Sequence, residues 1–122
     1  MTKIAIIEDD PTINQMYRMK FEATSFEVQM ASDGEQGVAL AEAFRPDLIL
    51  LDIQMPKMNG YETLKAIRSN EWGKNIPVII LTNLGEEEAP KELRALGIES
   101  YIVKADLTPS QVVERAKETL NL

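Results

Sequence analysis

Two short stretches, Leu48-Ile49-Leu50-Leu51 and Val78-Ile79-Ile80-Leu81, are apolar at every position. A strand points successive side chains to opposite faces, so a strand that is apolar throughout needs cover on both. A parallel sheet packed between two layers of helices provides that cover. Ile4-Ala5-Ile6-Ile7 is a third run of the same kind, stopped by acids. Phe26-Glu27-Val28-Gln29-Met30 alternates instead, as an edge strand with one wet face does, and Ile98 to Val103 makes a fifth.

Helix signals fill the intervals. Asp10 before Pro11 reads as an N-cap with proline at the first helical position, and Ile13, Met16, Tyr17 and Phe21 then share a face. Ser32 with Glu35 predicts a capping box opening a second helix, with Leu40, Ala41 and Phe44 inward. Gly60 opens a third helix that buries Leu64 and Ile67. Pro90 lies within Glu86-Glu87-Glu88-Ala89-Pro90-Lys91, which predicts a fourth helix beginning near Pro90 after a longer loop. Thr108, Pro109 and Gln111 start a fifth, with Val112, Val113, Ala116 and Leu120 on its inner face. Strands alternating with helices imply an α/β fold, and right-handed crossovers favour a doubly wound three-layer sandwich. At 122 residues the expectation is one domain over 1–122, with any output domain absent or removed.

Composition then narrows the chemistry. The chain has no cysteine and no histidine, so thiolate or imidazole metal sites, cysteine nucleophiles and a phosphohistidine of its own are excluded. A formal charge of -7 argues against nucleic acid and anionic membrane as partners. The longest aliphatic runs are strand-length, and the acids at Glu8, Asp9 and Asp10 leave no room for a signal peptide, so a cytoplasmic location is expected.

In an open parallel sheet, functional groups collect beyond the carboxyl ends of the strands. Those ends carry Glu8, Asp9 and Asp10 after the first strand, Asp52 after the third, Thr82 after the fourth and Lys104 after the fifth. Clustered carboxylates repel unless a cation lies between them, and oxygen ligands select a hard one such as Mg²⁺. A metal with Lys104 and the Thr82 hydroxyl makes a pocket for a tetrahedral oxyanion, which points to phosphoryl chemistry.

Asp52-Ile53-Gln54-Met55-Pro56-Lys57-Met58-Asn59-Gly60 closely resembles the loop around the phosphorylated aspartate of response-regulator receiver domains. The upstream acids, Thr82 and Tyr101-Ile102-Val103-Lys104 fall where that family has its other signature residues. The resemblance spans essentially the whole chain. It implies a flavodoxin-like fold with strand order 2-1-3-4-5 and a signalling switch of a two-component phosphorelay. Carried over by position, it makes Asp52 the phosphoacceptor and Asp9 a direct Mg²⁺ ligand, with Glu8 acting through water. Asp52 and the backbone carbonyl of Gln54 complete the protein ligands, and Asp10 is left to helix capping. Lys104 would pair with a phosphoryl oxygen, Thr82 would move to bond another, and Tyr101 would follow inward. Tyr101 also reads as a plain core aromatic, and Met55, Met58 and Gly60 as loop geometry. The implied partners are a sensor histidine kinase or a histidine phosphotransfer protein, with an output partner on the surface of helix four, strand five and helix five. A homodimer on phosphorylation is a further expectation.

Departures from the family pattern bear on these expectations. Ala105 follows Lys104 where a cis proline is common, so this peptide is expected to be trans or held under strain. Asn83 follows Thr82 where a small residue is usual. Gln54 and Leu84 occupy the positions that tune dephosphorylation in the family, and Leu84 predicts a long-lived phosphoaspartate by shielding it from water. The rival readings are a docking or dimerisation receiver that works unphosphorylated, and a haloacid-dehalogenase-like phosphatase. The phosphatase wants a second aspartate where Gln54 stands, and a flavodoxin proper would suffer repulsion between three rim acids and the phosphate of FMN. Trp72 is expected before the fourth strand, at the rim opposite Asp52.

Overall fold

The computed structural model describes residues 1–122. Five strands are present: β1 (Lys3–Ile7), β2 (Glu27–Ala31), β3 (Leu48–Leu51), β4 (Val78–Thr82) and β5 (Ser100–Val103). They alternate with α1 (Pro11–Ala23), α2 (Gly34–Phe44), α3 (Gly60–Arg68), α4 (Glu92–Ala95) and α5 (Pro109–Thr119). All pairings are parallel and the strand order is β2-β1-β3-β4-β5. The order reverses between β1 and β3, where Ile7 pairs with Leu51 and the residues after each share one rim.

The period-two rule explains why Ile4–Ile7 of β1, all of β3 and Val78–Leu81 of β4 are apolar at every position. Ala5, Ile7, Ile49, Leu51, Val78 and Ile80 join a core with Ala41, Leu64, Ile67 and Leu93 from α2, α3 and α4. Their sequence neighbours Ile4, Ile6, Leu48, Leu50, Ile79 and Leu81 enter a second core with Tyr17 and Phe21 of α1 and Val112, Val113 and Ala116 of α5. Each fully buried aliphatic side chain contributes about 1.5–3 kcal/mol relative to exposure. β2 is an edge strand and keeps Glu27 and Gln29 in solvent while burying Val28 and Ala31.

Most helix starts follow their caps. The Asp10 carboxylate accepts from the N–H groups of Thr12 and Ile13, and Pro11 occupies the first turn. Asn59 with Glu62 and Thr108 with Gln111 form reciprocal capping boxes. The second helix differs from expectation. Its N-cap is Asp33, whose carboxylate accepts from Gln36 N–H, and Ser32 instead donates to the Gln36 side chain. The cap therefore lies one residue later than Ser32 and Glu35 suggested, at Asp33, whose backbone is extended and whose carboxylate reaches Gln36 N–H, and no reciprocal box closes there. The buried stripe of α1 also differs: it is Asn14, Tyr17 and Phe21, while Met16 is 40% exposed.

The last two β–α units are shorter than the periodicity suggested. α4 begins near Pro90, as expected, but is a single turn. Pro90 holds Ala89 extended after the 3₁₀ turn Glu86–Glu88, and Gly97 ends the segment at φ +81°. β5 starts at Ser100 and omits Ile98. The Arg68 guanidinium explains the turn that precedes it, donating to the carbonyls of Leu96 and Gly97 as well as Gly73 and Ile76. Trp72 lies in the 3₁₀ turn Glu71–Gly73 ahead of β4. No peptide bond is cis, so Lys104–Ala105 is trans, and Lys104–Asp106 forms a 3₁₀ turn.

Candidate functional site

β1 and β3 are neighbours that end level, so Glu8, Asp9 and Asp52 leave the sheet side by side. One carboxylate oxygen from each lies within 4.8 Å of the others. Glu8 and Asp52 are buried, at 4% and 5% exposure, and Asp9 is half-exposed. Lys104 reaches across from the end of β5. Its Nζ is ion-paired with Glu8 Oε1 and lies 3.4 Å from Asp52 Oδ2.

The backbone around Asp52 is tightly constrained. Asp52 N–H donates to the Ile7 carbonyl at 3.0 Å, which continues the β1–β3 ladder one residue beyond β3. Gln54 N–H donates to Asp52 Oδ1 at 3.2 Å, and the loop returns so that Gly60 N–H bonds the Ile53 carbonyl at 2.9 Å. A Cβ at Gly60 would overlap the Asp52 carbonyl, so the start of α3 can close on the site only with glycine there. Lys57 takes a positive φ of 68° within this loop, a conformation uncommon for a non-glycine residue.

Electrostatics follow from burial. Desolvation pushes the Glu8 carboxyl up to about 7, against the lowering influence of its hydrogen bonds from Lys104 and Asp10 N–H. Burial pulls the Lys104 ammonium down, but the hydrogen bond to Glu8 and the charges of Asp52 and Glu8 outweigh it and hold Lys104 above its ordinary value. With all groups ionised, three carboxylates face one ammonium. The excess of two negative charges on oxygen donors suits a hard divalent cation, so the residues present fit Mg²⁺.

The remaining rim residues converge on the loop after β4 rather than on Asp52. Thr82 is fully buried, and its Oγ1 accepts from Leu84 N–H at 3.3 Å. The Tyr101 hydroxyl donates to the Leu84 carbonyl at 2.7 Å and lies 3.4 Å from that of Gly85. Thr82 and Tyr101 therefore both hold Leu84, one at its N–H and the other at its carbonyl. Leu84 is half-buried against the core, and Asn83 and Gln54 are exposed.

One site residue was missed from the sequence. Asn14 Nδ2 donates to the Glu8 carbonyl at 3.0 Å and to the Ala31 carbonyl at 3.2 Å. Its spacing to Tyr17 and Phe21 is that of a buried helical stripe, and a polar residue on such a stripe is the signal that was available.

A parallel sheet ordered 2-1-3-4-5, with acids and a lysine at its carboxyl rim, defines the flavodoxin-like class seen in chemotaxis-regulator structures. The family model "Response regulator receiver domain" matches residues 4–117. The chain is 38% identical over 104 residues to the DNA-binding dual master transcriptional regulator RpaA of Synechocystis, covering 85% of this chain and 43% of RpaA. The Vibrio cholerae chemotaxis protein CheY4 superposes with a TM-score of 0.88 at 30% identity, covering 97% of this chain and 98% of CheY4. The receiver domain of the sensor histidine kinase PA1611 from Pseudomonas aeruginosa superposes with a TM-score of 0.88 at 25% identity, covering 99% of this chain and 98% of that domain. That receiver carries a magnesium ion coordinated in its active-site cleft.

The chain belongs to the response regulator receiver family and is a phosphorylation-dependent signalling switch of the two-component type. Receiver domains of this kind are signalling domains rather than classical enzymes. The chain spans about half the length of the first curated relatives it matches. No helix is long and apolar enough to cross a membrane.

Proposed function

We propose that Asp52 is the phosphoacceptor of one receiver unit over residues 1–122, and that its donor is a phosphohistidine on a partner kinase or phosphotransfer protein. The observation that carries this reading is the convergence of Glu8, Asp9 and Asp52 on a single ammonium, Lys104. A carboxylate oxygen of Asp52 attacks phosphorus, the O–P bond forms, the P–N bond breaks, and its electron pair stays on the imidazole nitrogen. A carboxylate is a weak nucleophile towards an anionic phosphoryl group, so cations must offset the repulsion.

Asp9, Asp52 and the Gln54 carbonyl would hold Mg²⁺ directly, with Glu8 as an outer ligand. Bound there, the ion supplies charge stabilisation of the phosphoryl oxygens. Lys104, already poised between Glu8 and Asp52, turns to a phosphoryl oxygen as charge accumulates. Thr82 releases Leu84 N–H and donates its hydroxyl to another oxygen. Because Tyr101 is bonded to the same loop, its ring and the exposed surface of α4, β5 and α5 move with it, which is the output to a partner. A groove of about 470 Å³ on this surface is lined by Ala89, Pro90, Leu93, Arg94 and Tyr101, among others. Exposed Asn83 borders the path to the acceptor, and half-buried Leu84 shields the acyl phosphate from water.

The test is intact mass after incubation with Mg²⁺ and acetyl phosphate. A gain of one phosphoryl group, lost in Asp52→Asn and without Mg²⁺, is the expected result. No gain in any condition would overturn the reading and favour a docking or dimerisation module that works unphosphorylated.

A further inference from the structure

The Asn14 side chain is 4% exposed, and its Oδ1 is the one buried side-chain polar atom without a hydrogen-bond partner. Burying an amide with half its capacity unused is unfavourable, and an aliphatic side chain would fill the same place without that cost. What asparagine adds is its pair of N–H donors, and both are spent on the backbone beside the site. One goes to Glu8, the first acid, and the other to Ala31, the last residue of β2. The Ala31 carbonyl also accepts from Glu8 N–H at 3.0 Å, so the ends of β1 and β2 close around one amide group.

The Glu8 side chain is drawn into the same unit. Its Oε2 accepts from Asp10 N–H at 3.1 Å, Asp10 caps α1, and Asn14 N–H donates to the Asp10 carbonyl at 2.9 Å. The path from Asp10 through α1 to Asn14 and back to Glu8 is therefore closed at both ends. Few soft torsions are left to the segment from which Glu8 and Asp9 project.

We infer that Asn14 is a positioning residue for the acidic pair: its two N–H donors fix the backbone from which Glu8 and Asp9 reach the cation. The inference rests on the proposed Mg²⁺ site and extends it to a residue that itself touches neither metal nor phosphoryl group. Groups that orient ligands from behind tune metal affinity without binding the ion.

The experiment follows Mg²⁺ titrations by amide NMR, which reads binding without phosphoryl transfer. In the unmodified protein, the Asn14 side-chain amide signals are expected to shift at the same midpoint as the backbone amides of Asp9 and Asp52. In Asn14→Leu, of similar size and without donors, the midpoint is expected to rise roughly tenfold. A packing role would lower the melting temperature and leave the midpoint in place, and that result overturns the inference. Should the variant not fold, unmoved Asn14 side-chain signals beside shifting Asp9 and Asp52 amides overturn it in the unmodified protein. Absence of any Mg²⁺ response at Asp9 and Asp52 would sink the metal site as well, which separates the two failures.

Discussion

Lys104 bridges two strands that are not neighbours in the sequence: its side chain is only 10% exposed, and its ammonium is shared between Glu8 after β1 and Asp52 after β3. Removing a buried partner leaves the opposing charges uncompensated and costs about 3 kcal/mol. Lys104→Met is therefore expected to lower stability by about that amount in metal-free buffer, with much of the loss recovered on adding Mg²⁺. Thermal melts with and without the ion check this, and acetyl phosphate labelling should be lost in both conditions.

Glu8 titrates at about 7 in the folded chain, above its ordinary value of 4.5, with burial as the first cause. A carboxyl with a raised folded value binds its proton more tightly when folded than when unfolded. The Glu8 contribution to stability is thus fully present below about pH 4.5 and is lost as pH rises through about 7. Metal-free chemical denaturation between pH 5 and 8 is expected to show that decline, and Glu8→Gln to flatten it. Parallel curves for the two proteins would refute the assignment.

The Tyr101 hydroxyl bonds the Leu84 and Gly85 carbonyls, and the Thr82 hydroxyl accepts from Leu84 N–H. Tyr101→Phe removes one side of this grip at a cost of about 1 kcal/mol. Hydrogen exchange should accelerate from Leu84 to Glu88 while the β3 and β4 amides stay protected. The rate of Asp52 labelling should change little, because Tyr101 acts on the loop rather than on the acceptor.

Leu84 is half-buried beside the loop end that Thr82 holds. A carboxylate there can orient water towards the acyl phosphate, which an alkyl group cannot. Leu84→Glu is expected to shorten the phosphoaspartate lifetime several-fold, followed by loss of the added mass after the donor is removed. An unchanged decay would show that this position does not control access of water.

Much of the site was legible because it sits at strand ends, and strand ends were legible because Ile4–Ile7, Leu48–Leu51 and Val78–Leu81 admit only a doubly covered sheet. The caps at Asp10 and Thr108 were equally readable, being local hydrogen bonds between residues two or three apart. Choosing Ser32 over Asp33 failed at the same scale, where adjacent residues compete for the same N–H groups and the backbone angle decides.

By itself, then, the sequence determined what depends on neighbours along the chain: strand periodicity, most helix starts, and the kinds of side chain delivered to one rim. Tertiary structure alone decided what depends on distance through space. The sharing of Lys104 between Glu8 and Asp52 needs β5 and β1 on opposite flanks of β3 and β4. The reduction of α4 to one turn reflects Pro90 and Gly97 together with Arg68, whose four carbonyl partners no local pattern announces. The place of Asn14 was likewise decided only where β1 and β2 close around it, because a hydrogen bond to a backbone carbonyl carries no signature of its partner's side chain.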